Sequence, residues 1–575
     1  MNTSVNTPPQ ALEADYYRVN FITLLTFVFE RYAALLTEQE RSFYHQFSAL
    51  SVNAQCLFTR CLMRKGNFFR VAKFSYQEIS EPLTALSELT ATTLVKSATV
   101  DDFNNIITLF TKPELVKAFP EHSLKTLKRA ELDAELIRVA NDTPDLMFAR
   151  LQNLANHSLI FVCTQAFDTF RLLFFGNLRQ DLTEFVLQDM GIVKYPKFTL
   201  SRDKLPFQNR ETIVALKKIN ELSDYLHDHK QLDIDELEYL CSQLPPCTQQ
   251  SSIVQRRLGR LLNRLGQRYE QQKDYQAAIA LYQQSNELPA AERIIRCLAY
   301  LHQWEEAWER LQQLETSSSI SSEQHFVRVF KPKLAKKLAI PFERQSLQIK
   351  PEQVILITPH TQSVERNVQQ HLSALGKVSF WSENGVFNSL FGLTFWSLLY
   401  ADCEGAFYNP FQTAPDDIYH GSFIAKRESL WQELFQFIAC EKRYEKLLRE
   451  NYRTYFGLAN RFIHWSLLQQ TVADIPIFDG VRLSQAEQQR SLFEWTLQRV
   501  PIEHIRKIVL HILADRKDHR SGMPDLIVFT DQDYCLMEVK GPGDRLQNNQ
   551  KVWLDFFERN EIPYRTLRVV YDENN

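Results

Sequence analysis

The sequence predicts a multidomain, mostly α-helical chain that ends in an α/β domain. Three observations carry this. The chain has 575 residues, and at roughly 100–200 residues per domain that is three or four domains. Only 15 residues are glycine, and apolar residues recur over long stretches with the 3.6 period of amphipathic helices. Near the C terminus the pattern changes. Two short apolar runs, Leu526 to Phe529 and Leu536 to Lys540, flank a polar turn at Thr530 to Asp533, and Gly541-Pro542-Gly543 breaks the chain after them. Runs that short, bounded by turn residues, read as a β-hairpin.

Composition narrows the classes. With 44% hydrophobic and 23% charged residues, the chain is ordinary globular material with ample core. A net charge of −3 does not announce a nucleic-acid binder, so any such contact must come from local basic patches. The nine cysteines are odd in number and lack a C-x-x-C pair, which suits a reduced, cytoplasmic compartment. No basic region followed by an apolar core opens the chain, so no secretory signal is expected. No charge-free apolar run reaches ~20 residues, so no membrane span is expected.

Residues 1–10 are polar and expected to be loose. An N-terminal helical region covers 1–74, with Phe21, Leu24, Leu25, Phe27 and Val28 on an apolar face. Within it Arg60, Arg64, Lys65, Arg70 and Lys73 interleave with Phe68, Phe69 and Phe74. That pattern suits a phosphate backbone; a solvated helix face beside a core strand fits equally. Residues 75–200 read as short helices. The segment Lys112 to Ile137 resembles a SAP-type helix–loop–helix, in which Lys125, Lys128 and Arg129 would meet phosphate at a helix N-terminus; a generic helical pair fits nearly as well.

Residues 201–345 read as paired helices. Tyr269, Tyr275, Ala278, Leu281 and Tyr282 fit a tetratricopeptide-like hairpin with Lys273-Asp274 in its turn, and a degenerate second copy carries Ala299, Trp304 and Ala307. Arg256, Arg260, Arg264 and Arg268 lie along one side of the preceding helix. Their alternatives are an exposed ridge and a phosphate-facing ridge. TSSSISSEQ, 316–324, reads as a low-complexity linker, and Lys331, Lys333, Lys336 and Lys337 follow as candidate backbone contacts.

The last domain is expected over 346–575, with a helical insertion at about 421–512. Trp381 to Asp402 is apolar almost all round, as a helix buried in a domain interior must be. Glu383 stands at its start; it reads either as an acid favouring the helix dipole or as a site residue. On the hairpin, Glu538 and Lys540 are two residues apart and so point the same way. Asp525 opens the preceding strand beside them. Pro524-Asp525, a spacer of twelve residues, then Glu538-Val539-Lys540 puts two carboxylates and an ammonium on one rim. Carboxylates hold Mg²⁺ or Mn²⁺, which neutralise phosphoryl charge and acidify a bound water, and a neighbouring lysine can orient that water. The bland alternative is an edge hairpin with a surface Glu–Lys pair. Arg516, Lys517 and Arg520 precede Asp525 and could hold a phosphate. His504, His511 and His519 are not at metal-ligand spacing and read as core or solvent-facing.

This pattern resembles the PD-(D/E)xK (restriction-endonuclease-like) signature. The longer string through Gly541-Pro542, Asp544-Arg545-Leu546, Gln550 and Trp553 is similar to the VRR-NUC domain. Together with the Glu383 context and the domain order, the chain resembles bacterial members of the Fanconi-associated nuclease family. The resemblance implies a structure-specific DNA nuclease, a phosphodiesterase with 5′-flap endonuclease and 5′-to-3′ exonuclease activity in interstrand crosslink repair. It implies Glu383, Asp525, Glu538 and the Val539 carbonyl as metal ligands, with Lys540 completing the catalytic set. Arg60, Arg64, Lys65, Arg70, Lys125, Lys128, Arg520, Arg545 and Gln550 are the expected DNA contacts. The expected partner is branched double-stranded DNA, bound by a monomer. A four-way-junction resolvase using the same site and a non-catalytic repair adaptor are the alternatives.

Overall fold

The computed structural model describes residues 13–122, 124–180, 182, 185, 193–246, 251–342, 347, 349–357, 363–474, 483–530 and 532–571. The loose start expected at 1–10 lies outside them. The chain forms two compact units: 5–193 with 207–220, and 194–206 with 221 onward, apart from the first four residues. Mostly helical architecture with a C-terminal sheet domain is as the sequence predicts.

In the N-terminal unit, local chemistry sets the helix starts. Thr37 and Glu40 form a capping box at Glu38–Ala49, and the Ser51 hydroxyl accepts from Ala54 N at Val52–Leu62. Phe21, Phe47 and Phe58 pack edge-on between these helices and Tyr16–Tyr32. Three short strands, β1 (Phe68–Arg70), β2 (Val95–Ser97) and β3 (Leu159–Val162), pair antiparallel in the order β1-β3-β2. The segment read as SAP-like contains two helices, Lys112–Ala118 and Arg129–Asp142.

The second unit contains five successive helices, Ser252–Gln271, Tyr275–Tyr282, Ala290–Tyr300, Trp304–Ser317 and Ser321–Lys337. The linker expected over 316–324 is corrected here. The helix runs through Ser317 and the next begins at Ser321, leaving three residues between. Serine composition reads as a linker, but Ser318 accepts from Ile320 N and donates to Glu323, so these serines act as turn and cap groups. Lys331-Pro332-Lys333 lies within the following helix.

The C-terminal sheet has the order β4-β8-β7-β6-β5, from β4 (Gln353–Ile357), β5 (Val378–Trp381), β6 (Leu526–Phe529), β7 (Tyr534–Lys540) and β8 (Tyr564–Tyr571). β6 and β7 are the expected hairpin, with Leu526 opposite Met537 and Phe529 opposite Tyr534. β8 runs parallel to β7 and β4, and β5 antiparallel to β6. Side chains alternate between two cores. Ile527, Phe529 and Leu536 join the larger, while Leu526, Val528, Met537 and Val539 join the smaller beside Val368 and Leu372. β6 is therefore buried on both faces, which is why it reads as an unbroken apolar run.

The apolar stretch from Trp381 divides into the end of β5 and two helices, Gly385–Thr394 and Trp396–Leu399. Every residue from Val386 to Thr394 is buried. Gly392 permits close packing: a Cβ there would stand 2.6 Å from Ile463. No helix of the described residues is long and apolar enough to cross a membrane.

Candidate active site

Two strand ends and two helix starts converge on the β6–β7 rim. Asp525 sits one residue before β6. Its backbone carbonyl accepts from Ser382 N and Glu383 N, both at 2.9 Å, which ties the end of β5 to the start of β6. Its carboxylate Oδ2 accepts from Val539 N at 2.8 Å, which ties it to β7. Glu538 and Lys540 share one face of β7, as their spacing requires; Lys540 Nζ lies 2.8 Å from Glu538 Oε1. Both are almost wholly buried, at 1% and 7% exposure.

Gln550, in the first turn of Asn548–Arg559, joins the pair. Its Nε2 donates to Glu538 Oε1 at 2.6 Å, and its Oε1 accepts from Lys540 Nζ at 3.0 Å and from Gln547 N at 2.8 Å. Read from the sequence as a DNA contact, Gln550 instead bonds inward to both charged groups. Two features hold its helix in place. Trp553 Nε1 donates to Ser521 O, and Gly522, at φ +91°, lies so close that a Cβ would come within 2.8 Å of the Asn549 backbone.

The electrostatics are those of a site short of positive charge. Burial pushes the Asp525 carboxyl up to about 6, with Glu365 and Glu383 adding repulsion against the Val539 hydrogen bond and Lys540. Burial pushes Glu538 up to about 7, with Asp525 adding repulsion that Lys540 only partly offsets. Glu538 Oε2 is buried without a hydrogen-bond partner. A buried carboxylate oxygen without a donor is costly. A hard divalent cation among these oxygens would satisfy it, and Asp and Glu are the donors such a cation takes. Among the described residues no three His, Cys, Asp or Glu groups converge at ligand distance; Glu538 Oε1 faces Lys540 and Gln550, and Asp525 Oδ2 faces Val539. The donor chemistry of the rim fits a divalent metal.

Glu383 is exposed and lies before the helix rather than in its first turn, where Asn384 is the N-cap. Its φ is +33°, a left-handed value that costs a non-glycine residue about 1–3 kcal/mol. Asn384 Nδ2 donates to its Oε1 at 3.2 Å, and Asn384 Oδ1 accepts from Met523 N at 3.1 Å. Glu383 is therefore not the first-turn acid that the helix-dipole reading describes. Sequence reasoning missed Glu365, whose charge acts on Asp525 from the first turn of Val364–Ala374. An acid two residues after a Ser N-cap is ordinary capping chemistry, so nothing in the sequence marks it.

The cations expected to meet DNA divide by environment. Arg64, Lys65, Lys125, Lys128, Arg520 and Arg545 are exposed. Arg60 pairs with Glu78 at 2.5 Å and lies over the Tyr17 ring. Arg70 is buried and pairs with Glu114 at 3.0 Å. Arg129 donates to the carbonyls of Phe110 and Ile107. In the arginine ridge, Arg256 pairs with Asp416, Arg260 with Glu287, and Arg264 and Arg268 donate to the carbonyls of Ser223, Lys230 and Leu226. Arg516 is buried and donates to the Ile418, Leu513 and His420 carbonyls. His511 and His519 stack at 3.8 Å beside Trp553, as core residues.

The family model "FAN1, HTH domain" matches residues 15–96, and "VRR-NUC domain" matches 479–571. A Fanconi-associated nuclease 1 homologue of Pseudomonas aeruginosa is 34% identical, over 98% of this chain and 97% of that protein. One of Arabidopsis thaliana is 25% identical, over 94% of this chain and 65% of its own length. Among solved structures, paFAN1 bound to 5′-flap DNA with a two-nucleotide flap and a gap superposes with TM-score 0.81 at 31% identity, covering 99% of this chain and 100% of that one.

Proposed function

Because the chain belongs to the Fanconi-associated nuclease family, we propose that its buried β6–β7 rim is the metal-dependent centre of a DNA nuclease that cuts 5′ flaps. The enzyme is a structure-specific nuclease, a hydrolase of DNA phosphodiester bonds. The observation that carries the site is the partnerless Glu538 Oε2 beside an Asp525 carboxyl raised to about 6.

Asp525 and Glu538 are the core ligands, with the Val539 carbonyl and Glu383 completing the set and Glu365 adding charge. A bound Mg²⁺ or Mn²⁺ supplies Lewis-acid stabilisation of phosphoryl charge. Lys540 Nζ, held between Glu538 and Gln550, orients the attacking water and donates to the developing phosphoryl charge. Gln550 keeps Glu538 and Lys540 in register; Gly522 and Trp553 keep Gln550 in place. Arg520 and Arg545, exposed at either end of the segment carrying the carboxylates, hold the backbone near the scissile bond. Arg64, Lys65, Lys125 and Lys128 present the N-terminal helical regions to duplex phosphates. Arg60 and Arg70 support that surface from within. We assign 1–74 and 75–200 to DNA binding, 201–345 to the repeats and 346–575 to the nuclease domain with its insertion. The biological role is interstrand crosslink repair, with 5′-to-3′ exonuclease activity from the same site, acting as a monomer on cytoplasmic, nucleoid DNA.

The test uses end-labelled 5′-flap, 3′-flap, four-way-junction and plain duplex substrates, each with Mg²⁺, Mn²⁺ or chelator. Metal-dependent cutting of the 5′ flap with the junction spared supports the reading. Symmetric junction cutting replaces it with a resolvase, and no cutting with any metal replaces it with an adaptor.

A further inference from the structure

The repeat helices carry a groove that the reading above leaves unused. A cavity of about 300 Å³ is walled by Ala290–Tyr300, Trp304–Ser317 and Ser321–Lys337. Its polar ends are all cationic: Arg296, Lys333 and Lys337, with no carboxylate in its walls. Its rings are Tyr300, Trp304 and Phe330. The cavity shares Arg296, Phe330 and Lys333 with a second, of about 390 Å³, which runs on to Asn548 and Asn549 beside Gln550. The second cavity contains two acids, Glu292 and Asp518; Glu292 pairs with Arg296 at 2.8 Å.

The rings and cations are arranged together rather than scattered. Lys337 Nζ lies 5.3 Å from the Trp304 ring centre and Lys333 Nζ 5.9 Å from that of Phe330. Arg296 lies over Phe326 and Phe330 at 4.9 and 5.4 Å. Tyr300 stacks on Tyr275 at 5.0 Å yet stays 58% exposed. Among the described residues, Lys333 and Lys337 have no carboxylate partner, whereas the neighbouring Lys331 pairs with Glu315. A tetratricopeptide-like surface built to take an acidic peptide would need cations but not this row of rings. Cations alternating with aromatic rings, Tyr300 exposed and Trp304 and Phe330 half-buried, match a polyanion whose repeating unit also carries a flat π-face, which is unpaired nucleic acid.

We propose that this groove binds a single-stranded DNA segment, the unpaired flap continuing away from the nuclease rim, with its bases on Tyr300, Trp304 and Phe330 and its phosphates on Arg296, Lys333 and Lys337. It rests on the flap-nuclease reading for the identity of the strand. The contact is sequence-tolerant, since every base has a face to stack, and it favours flaps long enough to reach the groove.

The test uses the full chain in chelator and fluorescein-labelled oligothymidylate of about ten nucleotides. The wild type binds, with a slope of log affinity against log salt near −2 for three phosphate contacts. Tyr300→Ala weakens binding about tenfold, and Tyr300→Phe restores it. Lys333→Gln and Lys337→Gln each reduce the slope by about 0.7. Cleavage with Mn²⁺ then compares a minimal flap with one of about ten nucleotides: Tyr300→Ala slows the longer and leaves the minimal one unchanged. Unaltered oligonucleotide binding in Tyr300→Ala, Lys333→Gln and Lys337→Gln overturns the proposal, as does equal slowing of both flaps or equal loss of plain duplex binding. A wild type that binds the oligonucleotide through Tyr300 but cuts neither flap keeps the groove and rejects the flap-nuclease reading. A wild type that cuts both flaps while the variants bind normally does the reverse.

Discussion

The β6–β7 rim and the basic, aromatic segment around Arg60–Arg70 look alike in sequence, each a short run of charges among apolar residues. In the structure they are opposites. Arg60 and Arg70 have carboxylate partners in Glu78 and Glu114. Glu114 in turn is held well below the usual carboxylate range, at about 2, by hydrogen bonds from Lys73, Thr111 and Arg70 that outweigh its burial. Glu538 is buried and Asp525 half-buried, both are raised, and one Glu538 oxygen lacks a donor. Charges that build a fold are neutralised within it. On the rim, Glu538 pairs with Lys540 yet keeps one oxygen that no described residue satisfies.

The largest test of that contrast is Lys540→Ala. Cleavage is expected to fall about 10³-fold or more, while flap affinity in chelator stays within about twofold; single-turnover rates and anisotropy read the two separately. Next is pH. Asp525 and Glu538 are raised above their unfolded values, so between about pH 4 and 7 the metal-free folded protein holds protons that the unfolded chain releases. Stability conferred by these groups is therefore lost as pH rises through that window, by about 3 kcal/mol for each group. Denaturant titration of wild type against Asp525→Asn with Glu538→Gln isolates the effect; parallel pH curves would contradict it. Arg70→Met inverts the pattern. It leaves Glu114 without its buried partner and costs about 2 kcal/mol of stability, with flap cleavage per folded molecule unchanged. Loss of cleavage without loss of stability would put Arg70 in the DNA surface instead. The smallest effect is Gln550→Leu, expected to slow cleavage about tenfold with unchanged affinity; a weakened affinity at full rate would make Gln550 a DNA contact.

How much of this was legible depends on the range of the contacts involved. The hairpin and its three charged groups follow from a period of two, a four-residue turn and a glycine break, all local. The sheet order does not, because β8 inserts between β4 and β7 from the far end of the chain. Glu365 was invisible, since an acid after Ser363 has an ordinary capping explanation. The arginine ridge was visible as spacing, but its partners Asp416, Ser223 and Lys230 are remote in sequence, so the pairing of Arg256, Arg264 and Arg268 was not. The serine tract at 316–324 failed for another reason: composition does not distinguish a linker from side chains that cap and turn.

The central claim is that the Asp525–Glu538 rim holds the catalytic metal. Electron paramagnetic resonance of Mn²⁺ titrated into the protein–flap complex tests it most directly, comparing wild type with Asp525→Asn and Glu538→Gln. The account predicts saturable bound Mn²⁺ in the wild type and its loss in both variants, with flap DNA still bound. Undiminished Mn²⁺ binding in both variants would place the metal elsewhere and contradict the account.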